Sequence, residues 1–131
     1  MRTKLSIVVV AVGMLLAAVP VFAHHSFAAE FAANKPVTMK GSVTRMEWAN
    51  PHAWLYIDVK GPDGKVVNWA VEFGAPNALY RRGWRNTDLP VGVEVTVQGY
   101  LAKDGSPKAS ANDVTLPDGK KLFAGTAGPR P

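Results

Sequence analysis

Apolar and polar residues alternate along most of the chain after residue 36, and this period of two predicts β-strands. Residues 93–101 (VEVTVQGYL) show the alternation most clearly. Strand composition also predicts strands at 37–50, 53–59, 66–73 and 108–116, with a further short strand allowed at 120–123. Gly61-Pro62-Asp63-Gly64 is typical of a hairpin turn between two of them.

The first of these strands changes its phase near Gly41. The apolar residues Val37 and Met39 are at odd-numbered positions, whereas the apolar residues Met46 and Trp48 are at even-numbered positions, so the apolar face of the strand changes between them. A β-bulge adds one residue to a strand and so produces such a change. We therefore predict a long, bent first strand with a bulge near Gly41.

Residues 74–83 (GAPNALYRRG) interrupt the strand pattern and predict a short helix. Pro76 suits a first helical turn, two arginines suit the C-terminal end, and Gly83 can end the helix. Three strands, a short helix and two strands is the order of the OB-fold, a small five-stranded Greek-key barrel. The sequence therefore predicts an all-β domain of this kind over residues 37–125, followed by a disordered tail at 126–131.

The first 23 residues have the pattern of a cleaved signal peptide. Arg2 and Lys4 precede an apolar run at 5–19, and Pro20 and a small-residue cleavage site ending at Ala23 follow it. The alternative is a retained membrane anchor, but a spanning helix needs about 20 apolar residues. We predict cleavage after Ala23, a periplasmic location and no membrane attachment of the mature chain.

Residues 24–36 (HHSFAAEFAANKP) are predicted to form an N-terminal arm with helical character in its middle. Phe27 and Phe31 lie four residues apart, so on one helical turn they can pack together or against the domain. Pro36 ends that helical segment. The arm joins the predicted cleavage site to the first strand.

Charge and cysteine content exclude several classes of function. The formal net charge is +5, and it falls to +3 once Arg2 and Lys4 are removed with the signal peptide. A charge of +3 spread along an exported chain does not favour nucleic acid as a partner. The chain has no cysteine, which excludes disulfides, thiolate metal sites and a thiol nucleophile.

Two of the three histidines, His24 and His25, directly follow the predicted cleavage site. A mature N-terminal histidine offers both its amine and its imidazole to one metal ion. With the imidazole of His52 the donors would all be nitrogen, a set that suits Cu(II), and His25 is the alternative third donor. The competing interpretation is a solvated terminus that binds metal only adventitiously. The carboxylates able to add an oxygen ligand are Glu30, Glu47 and Glu72.

Aromatic and polar residues also gather at the bend between the first two strands and around the predicted helix. Ligands commonly bind OB-folds at the rim formed by the first hairpin loop. The competing interpretations are barrel packing for the tryptophans and a solvated helix end for the arginines. The predicted ligand-binding residues are Trp48, Asn50, Trp54, Asn77, Arg81, Arg82 and Trp84.

Catalytic groupings are poorly supported by the sequence. Ser26 adjoins His25, but no oxyanion hole is evident near the arm. Glu47, Asp58 and Glu72 are spread over neighbouring strands as solvated-face residues would be. The glycine-containing stretches are hairpin turns rather than phosphate-binding loops. The sequence therefore favours a protein that is not an enzyme.

Four stretches, HHSFAAEF, EWANPHAW, NWAVEFGAPNALYRRGW and VTLPDGKKLFAG, resemble a family of small exported bacterial proteins that carries only a domain-of-unknown-function label. The resemblance covers nearly the whole predicted mature chain. It implies an exported single domain of OB-like fold, and it supplies no activity. The positions that fall on the family's motifs are His24, His25, Asn50, Pro51, His52, Trp54, Asn77, Arg82, Gly83 and Trp84.

Three hypotheses on function follow. The first is a periplasmic OB-like binding module for an unidentified small ligand, in its sharper form a Cu(II) site formed by His24 and His52. The second is a copper-dependent oxidative enzyme with an open coordination position. The third is an interaction domain without metal, in which the aromatic rim and the Arg81-Arg82 helix end bind a periplasmic protein. The sequence does not indicate an oligomeric state.

Overall fold

The structure, a computed structural model, describes residues 27–125. This part of the chain is mostly β-structure, which confirms the predicted all-β class, and it contains six strands and two short helices. In chain order the elements are α1 (Phe27–Glu30), β1 (Phe31–Glu47), β2 (Trp54–Lys60), β3 (Val66–Glu72), α2 (Pro76–Arg81), β4 (Glu94–Ala102), β5 (Lys108–Thr115) and β6 (Lys121–Phe123).

The bounds of β2 to β5 agree with the sequence prediction to within one residue at each end, and β6 is the short strand that the sequence allowed. β1 is longer than predicted because it begins at Phe31, which pairs with Ala102 on β4. In the described part of the predicted arm, Phe27–Glu30 is helical and the residues from Phe31 onward belong to β1. Pro36 lies opposite Tyr100 in that pairing, where a register shift separates it from Phe31.

The bulge in β1 lies between Val43 and Arg45 rather than at Gly41. Val43 is buried while Thr44 turns outward, and its hydroxyl donates to the Tyr56 carbonyl at 3.2 Å. Gly41 has a different role, because a Cβ there would stand 2.6 Å from the Asp58 carbonyl oxygen. The absence of a side chain at Gly41 lets β1 lie close to β2. The extra residue Thr44, three positions later, changes which face of the strand the following side chains are on.

The strands form one sheet in the order β3-β2-β1-β4-β5-β6. β3 also pairs with β5, in parallel, so β1 to β5 form a closed ring of hydrogen-bonded strands. The inward residues of the ring form one hydrophobic core, to which α2 and the segment after it contribute. Its largest fully buried side chains are Trp84, Phe73, Leu55, Ile57, Leu79, Val43, Val71, Val95, Val97 and Val114.

The predicted signal peptide, the residues His24, His25 and Ser26, and the predicted tail at 126–131 all lie outside the described residues. Among residues 27–125, no helix is both long and apolar enough to span a membrane.

Candidate functional site

His52 and Glu72 lie in contact at the end of the sheet where β2 begins and β3 ends. The His52 Nδ1 atom lies 3.1 Å from the Glu72 Oε1 atom, and the side chains are 24% and 11% exposed. Backbone bonds beyond the strands hold this end together, since the Phe73 N–H donates to the Ala53 carbonyl and the Ala53 N–H donates to the Gly74 carbonyl. His52, next to Ala53, is thereby fixed beside the end of β3.

Glu72 is buried on the outer side of the sheet between its two neighbouring strands. It lies opposite Trp54 on β2 and opposite Ser110 on β5, and Ser110 is 2% exposed. The pKa of the Glu72 carboxyl is raised from 4.5 to about 7, chiefly by desolvation on burial and also by the Glu30 carboxylate, while Lys108 opposes the rise.

Glu30 and Lys108 complete the group of charged side chains around Glu72. The Lys108 Nζ atom lies 3.4 Å from the Glu30 Oε2 atom, and each side chain is 30% exposed. We call Glu30, His52, Glu72 and Lys108 the rim cluster. Within residues 27–125, no three histidine or carboxylate side chains are placed to hold a metal ion together.

The arm is held against the β4–β5 connection beside the rim cluster. The Lys103 N–H donates to the Glu30 carbonyl at 2.9 Å, and the Lys103 ammonium donates to the Ala28 carbonyl. The Phe27 ring stacks on Phe31 at a centroid distance of 5.7 Å and meets the edge of Tyr100 at 5.5 Å. Packing together and packing against the domain were the two alternatives expected for these phenylalanines, and both contacts are present.

The predicted carboxylate donors fall into two groups. Glu30 and Glu72 lie in the rim cluster with His52. Glu47 is engaged elsewhere, because its carboxylate lies 2.6 Å from Arg45 and accepts a hydrogen bond from the Tyr56 hydroxyl at 3.4 Å. The structure therefore places His52 against Glu72, and Glu30 near enough to Glu72 to raise its pKa.

The residues predicted to bind a ligand lie on two segments of the chain. Trp48 and Trp54 are half-buried and Asn50 is exposed on the β1–β2 connection, and Trp54 is the register neighbour of Glu72. Asn77 and Arg81 are exposed on α2, which begins shortly after the end of β3. Of these residues, Trp54 adjoins the rim cluster directly.

Arg82 and Trp84 have structural contacts that differ from the predicted role. Arg82 donates from Nη1 to the Gly125 carbonyl at 2.7 Å and covers the Phe123 ring at 4.6 Å. Trp84 is fully buried, lies 5.6 Å from the Phe73 ring and donates from Nε1 to the Phe123 carbonyl at 3.0 Å. A ring with no exposed surface cannot contact a ligand, so we assign Trp84 to the core.

Sequence reasoning missed Lys108 and Ser110 and took Glu72 for a solvated residue. Glu72 is 9% exposed because β5 covers it through the parallel pairing of β3 with β5. That pairing joins residues nearly 40 positions apart, and no local pattern signals it. The only sequence signal was the position of Glu72 next to Phe73 and Gly74 at the end of an apolar strand.

The chain belongs to the family of unknown function DUF6152, which it matches over residues 11–111. This confirms the resemblance to a family with a domain-of-unknown-function label. The match includes three of the four motif stretches and ends before the fourth, VTLPDGKKLFAG. No curated protein and no solved structure matches the chain.

Proposed function

We propose that this protein is a periplasmic, OB-like binding module that holds Cu(II) at the rim cluster. The ligands are the His52 imidazole and, after cleavage behind Ala23, the amine and imidazole of His24, with His25 as the alternative donor. The observation that carries the proposal is the His52–Glu72 pair, which lies beside the docked arm. The module is a carrier or buffer of the metal rather than an enzyme.

The OB-like assignment is supported by the ring of strand pairings. An OB-fold is a five-stranded Greek-key barrel, and its ligands bind on the face of strands 2 and 3 beside the first and fourth loops. In this chain β1 to β5 form a closed ring and a short helix lies between β3 and β4. On this assignment, His52 belongs to the first loop, Trp54 and Glu72 to strands 2 and 3, and Lys108 to the strand that follows the fourth loop.

The His52–Glu72 contact supports metal binding through the other ring nitrogen. Histidines that bind metals generally donate their second ring N–H to a carboxylate or carbonyl, which fixes the tautomer and the ring orientation. With the proton on Nδ1, His52 donates to Glu72 at 3.1 Å and carries its lone pair on Nε2. Neutral imidazole nitrogen is a preferred donor for Cu(II).

Chain length and the docked arm support the participation of His24. α1 begins at Phe27, one helical turn from Glu30, whose carboxylate acts on Glu72. Three residues of extended chain span at most roughly 10 Å between Cα atoms, which bounds the distance from His24 to Phe27. The proposal therefore requires that the amine of a mature chain that begins at His24 reaches His52 from Phe27 within this length.

The test starts with the mass of the exported protein, which must correspond to a chain that begins at His24. Cu(II) affinity is then measured by chelator competition for this chain, for His52→Ala and for a synthetic peptide of residues 24–31. We expect the protein to bind one Cu(II) at least about tenfold more tightly than the peptide, and His52→Ala to fall to the level of the peptide.

Each result has a defined meaning for the proposal. A mature chain with another N-terminus, or equal affinity of wild type and His52→Ala, would exclude the site. Stoichiometric copper with oxygen-dependent substrate turnover would support the enzyme instead of the carrier. Binding no tighter than that of the peptide would leave the metal-free interaction domain as the better account.

A further inference from the structure

We propose that the protein has a second binding site, a groove on the outer surface of β1, β4, β5 and β6 that takes a small neutral saccharide. The groove encloses about 340 Å³, and its polar and aromatic side chains are those of Thr38, Gln98, Tyr100, Asn112, Asp113 and Lys121. We call it the outer groove. It shares no residue with the rim cluster, so this inference does not depend on the proposed copper site.

A β-bulge in β5 brings two polar side chains together in the outer groove. Gln98 pairs with Asp113, while the next residue of β4 pairs with Ala111. Asn112 is therefore an extra residue on β5, and its carbonyl accepts from two backbone N–H groups after β6, at 2.9 and 3.3 Å. Its side-chain amide donates to the Asp113 carboxylate at 3.0 Å. Bulges often direct a side chain towards a functional site, and this one places an amide and a carboxylate next to each other in the groove.

The charges in the outer groove favour a neutral ligand. The Lys121 ammonium lies 3.6 Å from the Asp113 carboxylate, and a charged ligand would have to compete with one member of this pair. The Thr38 hydroxyl and the Gln98 amide form no hydrogen bond with other residues of the described range 27–125, so both can bind a ligand. A ligand hydroxyl both donates and accepts, so it can donate to Asp113 while it accepts from Gln98 or Lys121.

Tyr100 supplies an apolar surface beside these polar groups. It is half-buried, and the Phe27 ring contacts it at a centroid distance of 5.5 Å, which restrains its orientation. Small-molecule sites combine apolar surface with a few convergent polar groups and enclose roughly 300–1,000 Å³, so the outer groove is at the small end of that range. A sugar ring has an apolar C–H face and hydroxyls around its edge. A mono- or disaccharide therefore matches both the lining and the volume.

The experiment is an NMR titration of the ¹⁵N-labelled mature chain with glucose, galactose, N-acetylglucosamine and maltose, and with glycine as a zwitterionic probe. We expect at least one saccharide to shift the side-chain amide signals of Gln98 and Asn112 saturably, with a Kd near 1 mM to within about tenfold. Asp113→Ala should weaken this binding about tenfold or more, because it removes a charged acceptor, and Gln98→Ala should weaken it about fivefold.

Asp58→Ala is the matched control, because the Asp58 carboxylate also accepts from an asparagine amide, that of Asn68 at 2.8 Å, but lies on β2 outside the groove. Its affinity should stay within about twofold of wild type. The amide spectrum of each variant reports whether its fold is intact, and Gln98→Ala alters an exposed side chain that no described contact holds.

Four results would overturn the proposal. The first is the absence of saturable shifts with every saccharide up to about 50 mM. The second is binding of glycine alone, which would replace the saccharide by a zwitterion. The third is a set of shifts at residues outside the outer groove instead of at Gln98 and Asn112. The last is an equal loss of affinity in Asp58→Ala and Asp113→Ala, which would remove the assigned role of Asp113.

Discussion

Replacing Glu72 with glutamine should stabilise the metal-free protein above pH 7 and leave its stability unchanged near pH 4. Glu72 is 9% exposed, and the pKa of its carboxyl is raised from 4.5 to about 7, chiefly by burial and also by the Glu30 carboxylate. Between these two pH values the folded state binds a proton that the unfolded state has released. The stability contributed by the proton is therefore lost as pH rises through this window.

The size of the effect follows from the two pKa values. A difference between 4.5 and about 7 corresponds to about 3 kcal/mol against the folded wild type once Glu72 is ionised. Glutamine keeps the size of the side chain and an oxygen that can accept from His52, so most of this cost should disappear. For a domain of about 100 residues, a gain of about 2–3 kcal/mol raises the Tm by about 10–20 °C.

The assay is urea unfolding from pH 4 to pH 9 without metal, with Glu94→Gln as the control. Glu94 is also a strand carboxylate in an ion pair, with Lys40 at 2.9 Å, but its side chain is 59% exposed. We expect the Glu72→Gln curve to diverge from wild type as pH rises from 5 to 8, and the control curve to follow wild type throughout. Parallel curves for Glu72→Gln and wild type would refute the assignment of a raised pKa to this buried carboxyl.

Three further predictions concern the core, the strand crossing and the arm. Trp84→Phe removes the hydrogen-bond donor to the Phe123 carbonyl and leaves a cavity, so the free energy of unfolding measured with urea should fall by about 2–3 kcal/mol. A decrease of less than about 0.5 kcal/mol would contradict the buried position of Trp84. Gly41→Ala places a Cβ 2.6 Å from the Asp58 carbonyl oxygen and should lower the free energy of unfolding by about 2 kcal/mol in the same assay. An unchanged free energy of unfolding would mean that β1 and β2 do not approach each other this closely at Gly41. Lys103→Met removes the hydrogen bond from the ammonium to the Ala28 carbonyl, so chymotrypsin should cleave at Phe27 or Phe31 about fivefold faster. A fivefold change corresponds to about 1 kcal/mol in the free energy that holds the arm against the domain. Equal cleavage in Lys103→Met and Lys121→Met would show that the aromatic contacts alone hold the arm.

The parts of the fold that depend on local pattern were predictable from the sequence. Alternation located the strands, and Pro76 with the following arginines located α2. The start of β1 was not predictable in the same way, because the alanines at 28–29 and 32–33 favour a helix locally while pairing with β4 converts Phe31 onward to strand. The bulge lies three residues beyond its predicted position, because Gly41 is required by the close approach of β1 to β2 and not by the bulge.

The candidate site was only partly predictable, for a physical reason. His52 and the possible oxygen donors Glu30 and Glu72 could be named from residue type. Their proximity depends on the β3–β5 pairing and on the docking of α1 by Lys103, both of which join distant parts of the chain. Lys108 has no local signature, since an isolated lysine at the start of a strand is usually solvated. Trp84 shows the opposite error, because a tryptophan after two arginines and a glycine suggested a surface that the core contacts exclude.

The most direct test of the account is the number of nitrogens around Cu(II) in the chain that begins at His24. Pulsed EPR of the copper-loaded protein detects coordinated imidazole through its remote nitrogen, and the same spectrum is recorded for His52→Gln. The account predicts that the variant loses one coordinated imidazole while its terminal donors remain. Identical spectra for wild type and His52→Gln would contradict the claim that His52 binds the metal.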